Sequence, residues 1–370
     1  MKITLIGLGA EEGDLSVKAD EALRGATKIL ARTAHMPAFA CVEKYGAQPL
    51  DCIFESSRNF DTLNKKLAAA VLAAAKESDV VYCVDGAVCE DNACKMILAK
   101  HRDTVVFEGV SKAARAASLA HLKGGQYVSV SAYDIKNLKS APAAVVYDVD
   151  GDFAASEVKQ RLSELFGEEL DCSFIRGASV KKIKIYEIDR QKEYDCTCVV
   201  AVEEPEFLHK ERYDYADLLQ LVRMLRAPGG CPWDRVQSND TIKQNMIEEA
   251  YELVDAINRK DDDGIEEECG DVLLQAAFHT VLKEEQGAFT NGDVLSRVVK
   301  KLIFRHSHIF GNDKASDEDS ALNVWEKNKM EEKHQTTFTE SLKAVPVNFP
   351  ACMRAQKVGK RAAKCGMDFL

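Results

Sequence analysis

Thr197-Cys198-Val199-Val200-Ala201-Val202-Glu203-Glu204-Pro205-Glu206 is the stretch where this chain changes texture. Its β-branched half reads as a strand, and the acidic, proline-broken half suits a linker between domains. Upstream, to about Glu204, similar short runs alternate with helical stretches and glycine turns: Lys2 to Ile6, Val80 to Val84, Thr104 to Phe107, Val128 to Ser131, Ala144 to Tyr147 and Ile183 to Ile188. That alternation predicts an α/β domain around a largely buried sheet. Downstream, from Tyr213, long amphipathic patterns with few strand candidates predict an all-α domain. The expected organisation is therefore multidomain: 1–204 α/β, 205–213 linker, 214–335 helical and 336–370 tail. The tail holds Pro346, Pro350 and a basic run from Arg354 to Lys364. The 370 residues suit two or three domains at about 150 residues each. No tandem copies of solenoid length are evident.

Composition narrows the function. Hydrophobic residues make up 46% and charged residues 29%, the balance of a globular protein. Lys plus Arg total 49 against 60 Asp plus Glu, for a net charge of -11, so a phosphate backbone is repelled and no nucleic-acid partner is expected. The 12 cysteines form no CxxC pair, which excludes a disulfide scaffold or a zinc ribbon. No basic-then-apolar leader opens the chain and no apolar run approaches a membrane span, so a cytoplasmic protein without a membrane partner is expected.

The strongest chemistry lies in Glu248-Glu249-Ala250-Tyr251-Glu252 and, fifteen residues on, Glu268-Cys269-Gly270-Asp271. At about 100° per helical residue, Glu248, Glu249 and Glu252 share a face, and Glu268 and Asp271 repeat the spacing on the next helix. Met246, Ile247, Leu253 and Val254 are available around the first set for packing, and the second helix continues apolar from Val272 to Phe278. Most glutamate runs are solvated stripes. That reading suits Asp261-Asp262-Asp263, a turn ended by Gly264, and Glu284-Glu285. It fits the other acids poorly, because few cations stand at i+4 to neutralise them. Clustered carboxylates repel unless protonated or bridged. Oxygen ligands without His or Cys select Mg²⁺ or Mn²⁺ and can activate water against a phosphate ester. Lys301 and Arg305 share one helical face, as do Trp325 and Lys329. Trp233 is expected in the helical core. His306 and His308 read as helix-end or salt-bridge residues, and Cys231 and Cys269 as packing residues.

Residues 214–335 resemble the MazG family of nucleoside triphosphate pyrophosphohydrolases, an all-α fold whose metal motif is EExxE followed by ExxD. The resemblance runs from Leu225-Arg226-Ala227-Pro228-Gly229-Gly230-Cys231-Pro232-Trp233-Asp234 through Gln244 to Asp255. It continues in Gly270-Asp271, Arg305-His306-Ser307-His308-Ile309-Phe310 and Val324-Trp325-Glu326. It implies that Glu249, Glu252, Glu268 and Asp271 hold Mg²⁺, with Glu248 ligating a second ion or taking the proton from water. It places Lys301, Arg305 and Lys329 on phosphate oxygens of a nucleoside triphosphate; Trp325 stacks on a base or fills core. It further implies a site built between subunits of a homodimer. Met353-Arg354-Ala355-Gln356-Lys357 through Gly366-Met367-Asp368-Phe369 resembles the entry to a second helical copy.

At the N-terminus, Ile6-Gly7-Leu8-Gly9-Ala10-Glu11-Glu12-Gly13 follows a strand and precedes a helix. Its spacing puts Glu12 where a dinucleotide fingerprint needs glycine, and two acids face a pyrophosphate badly, so NAD is not expected. With the residues to Leu23, and with Glu108-Gly109-Val110-Ser111 and Val130-Ser131-Ala132-Tyr133-Asp134, this loop resembles the tetrapyrrole (corrin/porphyrin) methylase family. Ala155-Ser156-Glu157-Val158-Lys159 resembles members fused to a second enzyme, the YabN-like fusions. The resemblance implies an S-adenosylmethionine site at Gly7, Gly9 and Gly86. Two departures stand against that cofactor. Ala10-Glu11 replaces the usual Pro-Gly, and Asp85-Gly86-Ala87-Val88 replaces a Gly-Asp-Pro loop. A degenerate methylase-like domain joined to a Mg²⁺-dependent hydrolase is expected. The alternatives are a tetrapyrrole methyltransferase whose helical domain senses nucleotide or dimerises, and a non-enzymatic nucleotide-binding regulator.

Overall fold

The computed structural model describes residues 1–57, 60–334, 337–363 and 366–367. Lys364, Asp368 and Phe369 of the expected tail motif lie outside them. The chain divides into two compact units, Met1–Tyr213 and Asp214–Leu370.

The first unit holds two sheets. Five parallel strands, β1 (Ile3–Gly7), β2 (Ile29–Ala31), β3 (Gln48–Pro49), β4 (Val80–Val84) and β5 (Thr104–Phe107), stand in the order β3-β2-β4-β1-β5. Every residue of β4 is buried, as a strand covered on both faces requires. The covering helices include α1 (Val17–Arg24), α2 (Phe60–Ala74) and α3 (Asn92–Lys100), whereas α4 (Lys112–Leu119) packs on the unit's other sheet, against Val145, Tyr147 and Val199. The second sheet comprises β6 (Val128–Ser131), β7 (Ala143–Tyr147), β8 (Asp171–Arg176), β9 (Ser179–Lys184) and β10 (Cys198–Glu203), ordered β6-β7-β10-β8-β9. Only its β6–β7 pair is parallel. Helix α5 (Asp152–Phe166) buries Ala155, Val158 and Leu162 against it. The run Ile183 to Ile188 departs from the strand expected there. The Glu187 carboxylate accepts the Lys184 N–H at 2.9 Å, and the chain turns into a 3-10 helix that buries Ile185 and Ile188.

The second unit is helical. Its described helices include α6 (Tyr215–Arg226), α7 (Asn245–Arg259), α8 (Asp262–Glu285), α9 (Asn291–Arg305), α10 (Glu318–Glu332) and α11 (Ala351–Ala363). Its largest core cluster is small, built from Leu219, Val222, Ile242, Ala277, Phe278, Val281 and Leu282. Arg223–Glu284 at 2.8 Å and Arg226–Glu285 at 2.7 Å fasten α6 to α8.

Three expectations fail in this unit. Asp262 and Asp263 are not a free turn: Asp261 caps α8 by accepting the Gly264 N–H at 3.1 Å, and the helix starts at Asp262. Trp233 is 60% exposed rather than core, because Pro232 starts a four-residue helix that holds the indole outward. Cys269 is exposed, whereas Cys231 is half-buried. Among the described residues no helix is long and apolar enough to cross a membrane.

Candidate functional site

Helices α7 and α8 form an antiparallel hairpin with a turn of minimal length. Lys260 takes the left-handed conformation, φ 56°, and its N–H closes on Ala256 and Ile257 carbonyls. Glu252 and Glu268 lie eight residues either side of Lys260, and Glu249 and Asp271 lie eleven either side. Equal separations from a tight turn bring residues to the same height on two antiparallel helices, so the turn sets acid opposite acid.

The result is a set of carboxylates at close quarters. Oxygens of Glu249, Glu252 and Glu268 lie within 4.8 Å of one another. Asp271 stands just outside that set and acts on it through its charge. Loss of hydration, then repulsion from Asp271, holds the Glu249 carboxyl above its usual range. Loss of hydration and the charges of Glu252 and Asp271 do the same to Glu268. Glu249 accepts one hydrogen bond, from Gln275 Nε2 at 3.3 Å. Glu268 Oε2 is buried and has no hydrogen-bond partner among the described residues. An orphaned acceptor among crowded anions fits a hard divalent cation, which prefers oxygen ligands. Glu248 and Glu252 are exposed and border an open depression with Tyr251, Asp255 and Arg259.

The basic residues gather separately, on α9 and α10. Lys329 Nζ lies 4.5 Å and the Arg305 guanidinium 5.2 Å from the Trp325 ring centroid. Arg305 is buried, with Nε on Glu332 at 2.8 Å, so its charge is already partnered. Burial, then the charges of Lys333, Arg305 and Arg361, lowers Lys329. Lys301 is half-buried on the same helix as Arg305. Two cations therefore attend the Trp325 ring where a base or core packing was expected. His306 sits at the end of α9 with Nδ1 on the Leu302 carbonyl at 2.7 Å, a helix-end role as anticipated; His308 Nδ1 is buried and unpartnered among the described residues.

In the first unit, Gly7, Gly9 and Gly86 come together, and the backbones of Gly9 and Gly86 bond each other. Each N–H donates to the other's carbonyl, at 3.1 and 2.8 Å. A Cβ on Gly7 would stand 2.5 Å from Gly109 N and 2.6 Å from Gly86 O, so no other residue fits. Asp14 takes the N–H groups of Ala10 and Glu11 at 2.9 and 3.1 Å, and Glu90 takes that of Ala87 at 2.9 Å. Lys112 crosses the Gly86 loop to bond Asp85 at 2.8 Å and Asp148 at 2.6 Å. These loop amides are bonded within the protein. Sequence reasoning missed Lys112; its only signal was a lone basic residue directly after the Glu108–Ser111 loop.

Comparison with known proteins places both halves. The chain is 31% identical over 378 aligned residues, 97% of its own length and 76% of the relative's, to the uncharacterized protein YabN of Bacillus subtilis. The chain belongs to the YabN-like family. Like that family it joins a tetrapyrrole methylase-like α/β domain to a MazG domain. The MazG nucleotide pyrophosphohydrolase domain profile matches residues 237–310, which span α7, α8 and α9. The nucleoside triphosphate pyrophosphohydrolase of Escherichia coli K12 is 40% identical over 153 residues, 41% of this chain and 58% of that enzyme. The nucleoside triphosphate pyrophosphohydrolase/pyrophosphatase MazG of Thermotoga maritima is 38% identical over 42% of this chain and 59% of that protein. A solved uroporphyrin-III-C-methyltransferase from Thermus thermophilus is 18% identical, over 55% of this chain and 94% of that one, with a TM-score of 0.44.

Proposed function

We propose that this YabN-like chain hydrolyses nucleoside triphosphates to monophosphate and pyrophosphate in a Mg²⁺-dependent reaction. The observation that carries the reading is the carboxylate set across the α7–α8 hairpin, where Glu268 keeps a buried, unpartnered oxygen. The similarity to two nucleoside triphosphate pyrophosphohydrolases supports it. Glu249, Glu252, Glu268 and Asp271 hold the ion. Bound there, Mg²⁺ or Mn²⁺ supplies Lewis acidity and lowers the pKa of water. Glu248, exposed at the edge of the set, takes the proton as the water oxygen attacks the α-phosphorus; the bond to the bridging oxygen breaks and pyrophosphate departs. Lys329 and Lys301 bind the departing phosphates. Arg305, already bonded to Glu332, contributes its field and the placement of Trp325.

The acidic and basic sets lie on different helix pairs, and the helical unit exposes Leu295, Val299, Leu302 and Ile303 along α9 and Ile247, Tyr251 and Val254 along α7. Stripes at i, i+4, i+7 spacing on two helices support a homodimer. In this reading residues 336–370 are the opening of a second helical repeat, and the α/β domain transfers no methyl group because its loop amides are internally bonded. The test is a panel of nucleoside triphosphates with Mg²⁺ and product identification. Monophosphate and pyrophosphate in equal amounts are expected; diphosphate and single phosphate would reject the mechanism.

A further inference from the structure

The α/β unit holds a partly open cavity on its Lys112 network, walled by Phe54, Phe60 and Tyr133. It adjoins two others: Asp85, Lys112 and Cys196 line one of them as well, and Asp150, Phe54 and Cys196 the other. Together they make one trough within this unit. Among the described residues its permanent cations are ion-paired. Arg32 is ion-paired with Asp91, Lys112 with Asp85 and Asp148, and Arg115 with Glu11 at 2.5 Å. Among the described residues Asp150 has no such partner. Its one side-chain hydrogen bond among the described residues comes from the Tyr133 hydroxyl, and Phe60 stacks on that ring with centroids 3.3 Å apart. Burial and the charge of Asp148 push the Asp150 carboxyl up.

We propose that this trough binds an amine-bearing organic cation, with the Asp150 carboxylate receiving the ammonium group beside the Phe60–Tyr133 pair, and that it excludes polycarboxylate tetrapyrroles. An ammonium supplies the opposite charge that Asp150 lacks, and aromatic walls favour a cation over an anion. A tetrapyrrole bearing several carboxylates meets the reverse. Among the described residues that line it, the Arg and Lys side chains are already ion-paired, and Asp150, Asp51 and Glu55 border the same space.

The full chain, carrying Glu249→Gln and Glu252→Gln so that the helical acids do not compete, is titrated calorimetrically with spermidine and with uroporphyrin. Spermidine is expected to bind with an affinity that falls with salt, and uroporphyrin not to bind. Asp150→Asn should weaken spermidine at least about tenfold, the scale of losing a buried charge pair. Tyr133→Phe, which keeps the carboxylate, should retain binding. Uroporphyrin binding, absence of spermidine binding, or an unchanged affinity in a folded Asp150→Asn chain each overturns the proposal. If melting curves show that Asp150→Asn is misfolded, the spermidine and uroporphyrin comparison on the chain with native Asp150 still decides.

Discussion

At Glu268 the residue scale shows most plainly what the fold endures for its site. Its folded-state carboxyl, like that of Glu249, is held above the ordinary 4.5, while the unfolded chain releases the proton near that value. Between the two, the folded chain binds more protons than the unfolded one, so metal-free stability falls as pH rises through this window. Melting curves in chelator should show a maximum on the acid side, and Mg²⁺ should erase the decline above it. Glu268→Gln should raise the metal-free melting temperature, because a neutral amide replaces a crowded anion, and should abolish the Mg²⁺ response. That response is worth ~2.7 kcal/mol at an ion concentration a hundredfold above its dissociation constant. An undiminished Mg²⁺ increment in Glu268→Gln would place the ion elsewhere. Activity gives a second readout: Glu249→Gln or Asp271→Asn should lower turnover about 100-fold, the scale of removing one electrostatic group from a reacting centre. The identities of these acids were legible in the sequence because few cations stand at i+4 to them. The pairing of Arg305 with Glu332 was not, since it joins two helices 27 residues apart.

Elements explain why the acids meet at all. The hairpin turn is a left-handed Lys260 followed by an Asp261 cap, both seven or more residues from the carboxylates along the chain. Asp261→Ala should destabilise the chain by about 1 kcal/mol through loss of the cap. Lys260→Gly should stabilise it by up to about 1 kcal/mol, because glycine enters φ 56° without the steric penalty. Denaturant melts of the two variants should move in opposite directions; parallel shifts would show that the turn does not control the hairpin. Amphipathic spacing made α7 and α8 readable, but a run of acids before Gly264 looked like a loop because capping depends on one hydrogen bond. The glycine loops of the α/β unit were readable as loops, whereas their mutual pairing needs the strands that carry them, β1 and β4, side by side. With those amides engaged, calorimetry on the full chain should detect no submicromolar S-adenosylmethionine binding; such binding would show that Lys112 and the loops rearrange.

For the whole molecule, the change of periodicity near Glu204 made two architectures legible, but the sequence could not show how much apolar surface the helical unit leaves uncovered. Val299 is 51% exposed, Ile303 47% and Val254 50%, around a core cluster of seven buried residues. Stable monomers seldom leave large apolar patches uncovered. In the proposed dimer a second copy covers these stripes and also answers the separation of acidic and basic sets, because one subunit's α9 and α10 then face the other's α7 and α8. Val299→Glu with Ile303→Glu places like charges on the proposed seam without touching a carboxylate, Lys301 or Lys329. Sedimentation should show the parent chain as a dimer or larger and the double variant as a monomer with helical circular dichroism retained. Its hydrolysis should fall with the dimer population and recover at high protein concentration, since association restores the site by mass action. A helical monomer with full activity would mean that each subunit carries a complete centre. The inter-subunit arrangement would then be wrong, while the carboxylate assignment, tested separately at Glu268, would stand.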